Sequence, residues 1–411
     1  MSKLKELSEN NKKLSDNNVL NPAKIKIIGI GGAGCAVINR LMQTKIKGVE
    51  LIAINTDGQA LAITSAHRKL KIGKRLTRGL GAGGNPEIGL RAAEENQTEI
   101  ERLLKGADLV FIACGMGGGT GTGAAPLVAD ILKKLGILTI AIITKPFDFE
   151  GGHRLRIADQ GLQNLAAKVD IIVVMYNEKL LRSIDKATPL IYSFKMADDI
   201  LEQAIRGISE IITIPGLVNI DFADIKGIIQ SGGAALMGMG KAEGADRAIK
   251  AAKIAIENPI LDISIKGARG VLFAVTGGSS LTLSEVNEAA SCITEKVHPE
   301  AKIMFGAVID DTMGEGIKIT VVATNFDNDN IVSSIQSTTK TINNKEIEGG
   351  GLKSDLKNKE TATLKREEGQ EIKSTARINR SVKVDKEVEQ LLTPEEEELE
   401  IPTFIRLRLK K

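Results

Sequence analysis

The chain has no tryptophan, only 3% aromatic residues, and just three cysteines, three histidines and ten prolines among 411 residues. Each shortage excludes something. So few aromatics leave no stacking platform for nucleic-acid bases and no aromatic cleft for carbohydrate. Cys35, Cys114 and Cys292 are widely separated and fit neither a disulfide framework nor zinc-ligand spacing. His67, His153 and His298 are equally scattered, so no protein-built metal site is expected. Charge of one sign is also missing. With 55 Lys and Arg against 52 Asp and Glu, the formal balance of +3 is too small for nucleic-acid binding by bulk electrostatics. The longest apolar runs, such as Gly136–Ile143 and Val169–Met175, fall far short of the roughly 20 residues that a membrane-spanning helix needs. The opening MSKLKELSENNKKLSDNN is polar and lacks the hydrophobic stretch of a secretory signal. A reducing, cytoplasmic setting is the expectation.

What the chain has in excess is glycine, 42 residues in clusters, on a background of 42% hydrophobic residues that can bury a sizeable core. Its texture changes along its length. Residues 1–22 read as a disordered arm. From Ala23 an α/β pattern begins. Lys24–Ile30, Val49–Asn55, Leu109–Cys114, Leu138–Thr144 and Asp170–Met175 are continuous apolar runs, as expected of strands covered on both faces. Alternation of such strands with helical stretches predicts a doubly wound parallel sheet over 23–190. Ile191, Phe194, Ala197, Leu201, Ile205, Ile208 and Ile212 recur at spacings of three and four, which predicts a long central helix over 191–215. Residues 216–326 read as a smaller α+β domain, with helices near Ala245–Glu257 and Ser284–Val297 and strands at Val271–Thr276, Lys302–Ile309 and Ile317–Thr324. Residues 327–393 are too polar to offset their ordering entropy and read as a disordered linker. The apolar-basic finish within 394–411 reads as a tethered docking peptide.

Two glycine clusters carry the chemistry. Gly29-Ile30-Gly31-Gly32-Ala33-Gly34 is a G-x-G-x-x-G between a strand and a helix, the arrangement that aims backbone N–H groups at an anion. Asp57 follows the next strand, where a dinucleotide enzyme keeps a ribose-binding carboxylate, so a nicotinamide-dependent oxidoreductase is one reading. The second cluster, Gly115 to Gly123, holds seven consecutive residues that are only Gly or Thr. They offer almost no side chain to pack, and strand and helix adjoin them directly, so an anion cradle with two hydroxyls is the expectation. A third stretch, Gly79-Leu80-Gly81-Ala82-Gly83-Gly84-Asn85-Pro86, is placed to close over a terminal phosphate. Three such loops suit a nucleoside triphosphate better than a pyrophosphate.

GGGTGTG, together with NTDGQAL (Asn55–Leu61), KPFDFEG (Lys145–Gly151), NIDFAD (Asn219–Asp224) and the terminal IPTFIR, resembles the tubulin superfamily and, within it, the FtsZ family of cell-division GTPases. The resemblance implies GTP binding with Mg²⁺ accompanying the nucleotide, head-to-tail homopolymeric filaments, and a cytoplasmic ring at the division site beneath the membrane. It implies that Gly31, Gly32, Ala33, Gly34, Cys35, Ala36, Gly117, Gly118, Gly119, Thr120, Gly121 and Thr122 hold the phosphates, with Asn55 nearby and Gly83 and Gly84 near the terminal one. Glu150 and Arg154 match positions at the ribose and phosphates; Asn177, Phe194, Asp198 and Asp199 match those around guanine. A carboxylate accepts from both N1–H and the 2-amino group of guanine, a donor pair adenine lacks.

By the same resemblance, Asn219, Asp221 and Asp224 complete the hydrolytic site of the adjacent subunit, two carboxylates orienting water for attack on the γ-phosphorus. The plain alternative for Asp221 and Asp224 is helix capping. Ile401, Pro402, Phe404, Ile405 and Arg406 match the terminal peptide that binds membrane-tethering and regulatory division proteins, without nucleic acid and without direct stable membrane insertion. A tubulin-like filament paralogue with weak GTPase activity is a further reading. Cys35 and Ala36 depart from the asparagine often found in the first loop, as do Lys195 and Met196 from small residues near Asp199.

Overall fold

The structure, a computed structural model, describes residues 23–46, 48–183, 188–213, 217–218, 220–230, 232–257 and 265–326. Its parallel half is laid down in alternating units. Strand β1 (Ile25–Ile30) leads into helix α1 (Gly31–Thr44), then β2 (Val49–Asn55), α2 (Gly58–Ile63), β3 (Arg68–Lys71) and the single turn α3 (Lys74–Thr77). Helices α4 (Pro86–Glu95) and α5 (Gln97–Leu104) precede β4 (Leu109–Gly115). Then come α6 (Gly119–Lys134), β5 (Leu138–Lys145), α7 (Gly152–Ala166), β6 (Ile171–Tyr176) and α8 (Asn177–Ser183). These six strands lie side by side in the order β3-β2-β1-β4-β5-β6, every neighbouring pair parallel. That order reverses between β1 and β4, and ligands of open α/β sheets sit at such a reversal, beyond the strands' carboxyl ends.

The sequence periodicity becomes two cores. Ile25, Ile27, Leu51, Phe111 and Ile140 face one side of the sheet; Ile28, Ile30, Ile52, Val110 and Ala141 face the other. On the first side lies α9 (Leu190–Thr213), whose Leu201, Ile205, Ile208 and Ile211 are buried against the strands. With 24 residues it is about 36 Å long. It ends at the strands' amino-terminal edge, because a Cβ at Gly48, just ahead of β2, would lie 3.4 Å from Thr213 Cγ2.

After α9 come α10 (Phe222–Ile229), β7 (Gly233–Glu243), α11 (Arg247–Ile256), β8 (Ala268–Gly277), α12 (Leu283–Thr294), β9 (Lys302–Ile309) and β10 (Gly316–Phe326). Strand β7 joins β6 through three parallel pairs, Ile171↔Gly233 to Val173↔Ala235, so the order continues β6-β7-β10-β8-β9 in one ten-stranded sheet among the described residues. Helices α11 and α12 cover this end over Phe273, Val275, Ile319 and Val321. The fold class is therefore as expected, a parallel α/β sheet, a long helix and a smaller mixed α/β portion. Strand β7 was not expected. Its sequence, GAALMGMGKAE, lacks β-branched residues, and it is a strand because α11 packs on its glycines: a Cβ at Gly238 or Gly240 would strike the Ala255 or Ala251 carbonyl.

Candidate functional site

Helix α1 starts directly at the carboxyl end of β1, and α6 follows that of β4 after three residues, on either side of the sheet reversal. Neither start is capped by a side chain, and neither first turn holds a carboxylate. The first N–H groups of a helix have no intrahelical acceptor, so two sets of unsatisfied donors and two positive dipole ends meet here. They are close: a Cβ at Gly31 would lie 3.1 Å from the Gly121 nitrogen. By contrast, Asp57 caps α2, Asn85 caps α4 and Asp221 caps α10. Asp57 Oδ1 accepts from Gln59 N (2.9 Å) and Ala60 N (3.0 Å), so the carboxylate on which the oxidoreductase reading leaned is engaged in capping.

The glycine cluster needs a correction. It is only partly a loop, because Gly119 to Gly123 already form the first turns of α6, as Gly31 to Gly34 do in α1. Packing, set aside on the sequence because these residues have so little to pack, explains several of them. A Cβ at Gly123 would collide with the Pro86 carbonyl, and one at Gly89 with the Gly119 carbonyl, so α4 and α6 cross with their backbones in contact. Gly121 approaches Gly115 O, and Gly117 takes φ +92° with its open side against Arg154 O. Gly118 differs: nothing lies within 4 Å of where its Cβ would be. Gly83 and Gly84 are open in the same sense, at φ +59° and +78°, and Gly32 is exposed. These glycines are the ones a ligand can reach.

The threonine hydroxyls brace the cradle from behind. Thr120 Oγ1 lies 2.6 Å from Thr56 Oγ1, and Thr122 Oγ1 accepts from Gly117 N at 2.9 Å. Thr56 is a supporting residue the sequence reading did not single out, although it lies within NTDGQAL. Asn55 is buried and turned inward as well, its Oδ1 accepting from Asp57 N and its Nδ2 donating to Cys35 Sγ at 3.6 Å. Burial pushes the Cys35 thiol up to about 11, so it stays protonated at neutral pH. Ala33 and Ala36 are half-buried on α1.

Around the cradle stand the charged residues. Arg154 Nη1 pairs with Glu150 Oε2 at 2.6 Å, and Glu150 Oε1 accepts from Phe147 N at 3.0 Å. The Glu150 side chain is 8% exposed, so the bond is more than a surface ion pair. Asn177, at the carboxyl end of β6, has a buried Oδ1 with no hydrogen-bond donor. On α9, Asp199 Oδ1 is held by Arg40 Nη2 of α1 at 2.8 Å, with Asp198 half-buried beside it. The side chain of Phe194 lies outside the described residues, as do Asn219 and the whole of 327–411, which includes Ile401, Pro402, Phe404, Ile405 and Arg406.

The acidic pair is elsewhere. Asp221 caps α10, its Oδ1 accepting from Asp224 N at 2.7 Å, and Asp224 sits in the first turn. This segment is anchored at both ends to the strands' amino-terminal edge, through Thr213 beside Gly48 and through Gly233 N donating to Asp170 O ahead of β6. Asp221 and Asp224 thus belong to the end of the molecule away from the glycine clusters, and the structure does not bring the two sets together. Among the described residues no group of three or more His, Cys, Asp or Glu side chains forms a metal site, and no helix is long and apolar enough to cross a membrane.

Comparison with known proteins agrees with this architecture. Residues 24–185 match the model of the Tubulin/FtsZ family GTPase domain, and residues 233–327 match that of the FtsZ family C-terminal domain. Among solved structures, an empty FtsZ dimer from M. jannaschii is 44% identical, with a TM-score of 0.73 over 77% of this chain and 92% of that one. A mutant FtsZ from M. jannaschii gives 44% identity and a TM-score of 0.72 over 77% and 96%. The GDP-bound CetZ1 monomer from Haloferax volcanii, at 19% identity, shares the fold, with a TM-score of 0.67 over 78% of this chain and 99% of that one.

Proposed function

Because the chain belongs to the Tubulin/FtsZ family and has both its GTPase domain and the FtsZ-type C-terminal domain, we propose that it binds GTP and hydrolyses it on head-to-tail assembly into filaments that form a division ring. The observation that carries the nucleotide half is the meeting of two uncapped helix starts, α1 and α6, at the sheet reversal, with Gly118 open between strand and helix. Phosphates satisfy those N–H groups, and the backbone donors oppose charge developing on the γ-phosphoryl oxygens. Asn177 Oδ1, buried and lacking a donor, suits the N–H edge of guanine, while Asp198 and Asp199 flank the base and Glu150 and Arg154 the ribose and phosphates. Mg²⁺ accompanying the nucleotide would supply charge neutralisation of its phosphates.

The assembly half rests on separation. A site whose phosphate cradle is at one end and whose carboxylates are at the other is complete only when two copies meet head to tail, a heterologous contact that propagates as an open filament. Apolar groups are exposed at both ends: Leu80 (84%) and Phe149 (62%) near the cradle, Leu217 (77%), Val218 and Phe305 near Asp221. In the contact, Asn219, Asp221 and Asp224 of one subunit orient water at the γ-phosphate held by the next, one carboxylate taking the proton as the nucleophile attacks. The terminal peptide around Pro402 and Phe404 then links the filament to membrane-tethering partners at the cytoplasmic face. Phosphate release per molecule, followed across protein concentration, tests the scheme. It is expected to rise steeply through the assembly range; a constant specific rate down to dilute protein refutes a shared site.

A further inference from the structure

We propose that His153 is a specificity residue of the nucleotide site, donating to the terminal phosphate across from the Gly83–Asn85 turn and so favouring triphosphate over diphosphate. The proposal rests on reading this as a guanine-nucleotide site. A cleft of about 320 Å³ lies between that turn and the first turns of α7, lined by Gly83, Gly84, Asn85, Pro86, His153 and Ile157. His153 is the only one of these able to carry a positive charge.

The cleft adjoins the cradle on both sides. Asn85 packs on Gly119, and Gly117 packs on the carbonyl of Arg154, the residue after His153. A phosphate chain lying on Gly117 to Gly119 therefore leads towards this cleft, and its last member is the one that enters. On the turn side Gly83 and Gly84 offer it only backbone, with open space where a side chain would be. On the helix side it meets His153, which is exposed in the first turn of a helix with neither a side-chain cap nor a carboxylate there. Arg154, the neighbouring cation, is bound to Glu150. A charge-assisted hydrogen bond from an imidazole to a phosphate oxygen is worth about tenfold in affinity, and a diphosphate that stops on the glycines does not collect it.

The test compares GTP and GDP affinities of the full-length chain, kept dilute enough to stay unassembled, in wild type and in His153→Ala and His153→Gln. The preference for GTP is expected to fall about tenfold in His153→Ala, through weaker GTP binding with GDP binding unchanged, and to be partly kept in His153→Gln, which retains an N–H donor. Equal weakening of both nucleotides, or of neither, overturns the assignment, and a lowered unfolding midpoint accompanying equal weakening marks His153 as structural. Wild-type protein that binds neither nucleotide overturns the underlying reading instead, and this proposal with it.

Discussion

At the scale of single residues, glycines that look alike in the sequence have different jobs. Gly118 and Gly123 are five apart in one cluster, yet a methyl group on the first enters open space and one on the second meets the Pro86 carbonyl. Gly123→Ala is therefore expected to cost about 2–3 kcal/mol of stability by overpacking the α4–α6 crossing. Gly118→Ala should change stability by less than about 0.5 kcal/mol and instead weaken guanine-nucleotide binding. Thermal melts and nucleotide titrations on the two variants separate the roles. The cluster was legible in the sequence as a place where backbone must come close to something. That half of the something is another helix was not, because Pro86, Gly89 and Leu90 meet it only after the chain folds. Thr120 and Thr122 also have inward partners, Thr56 and Gly117 N, that could not be read from the sequence, because a hydroxyl's partners are set only once the chain folds.

At the scale of elements, apolar runs identified strands wherever side chains carried the signal, and Val49–Asn55 and Lys302–Ile309 fall on the expected residues. Strand β7 was missed because tertiary contact with α11, not intrinsic propensity, makes it a strand. The joint between α11, α12 and β10 holds the second notable electrostatic feature. Arg247, nearly buried, donates to Glu285 (Nε to Oε1, 2.6 Å), to Ser280 O and to Glu315 O, while Glu285 also completes the capping box with Thr282 at the start of α12. The Arg247 guanidinium holds the Glu285 carboxyl down at about 2. A carboxyl lowered on folding contributes stability above its unfolded value, near 4.3, and loses it as pH falls towards 2. Glu285→Gln is expected to lose about 2 kcal/mol at neutral pH, and its stability should then depend less on pH between about 5 and 2 than the wild type's does. Urea unfolding over that range measures both.

For the whole molecule, the sheet reversal and the run of α9 to the opposite edge set the glycine cradle and the Asp221–Asp224 pair at two ends. The sequence showed both sets of residues, since GGGTGTG and NIDFAD are local motifs, but their separation was expected only from the family resemblance, because the residues themselves do not say which edge of the sheet a 24-residue helix reaches. A mixing experiment exploits the division. A variant unable to hold nucleotide and Asp224→Ala, each with at least tenfold reduced turnover alone, should regain activity together, because one intact cradle then meets one intact acidic loop. Co-sedimentation shows that the two variants share filaments; co-sedimentation without recovered phosphate release rejects the division.

The length of α9 also sets a ruler. If its ends mark off where one copy stops and the next begins, every molecule added must lengthen a filament by no less than about 36 Å. Electron micrographs of assembled protein should therefore carry an axial periodicity at or somewhat above that spacing, fixed by helical rise and indifferent to how strands curve or bundle.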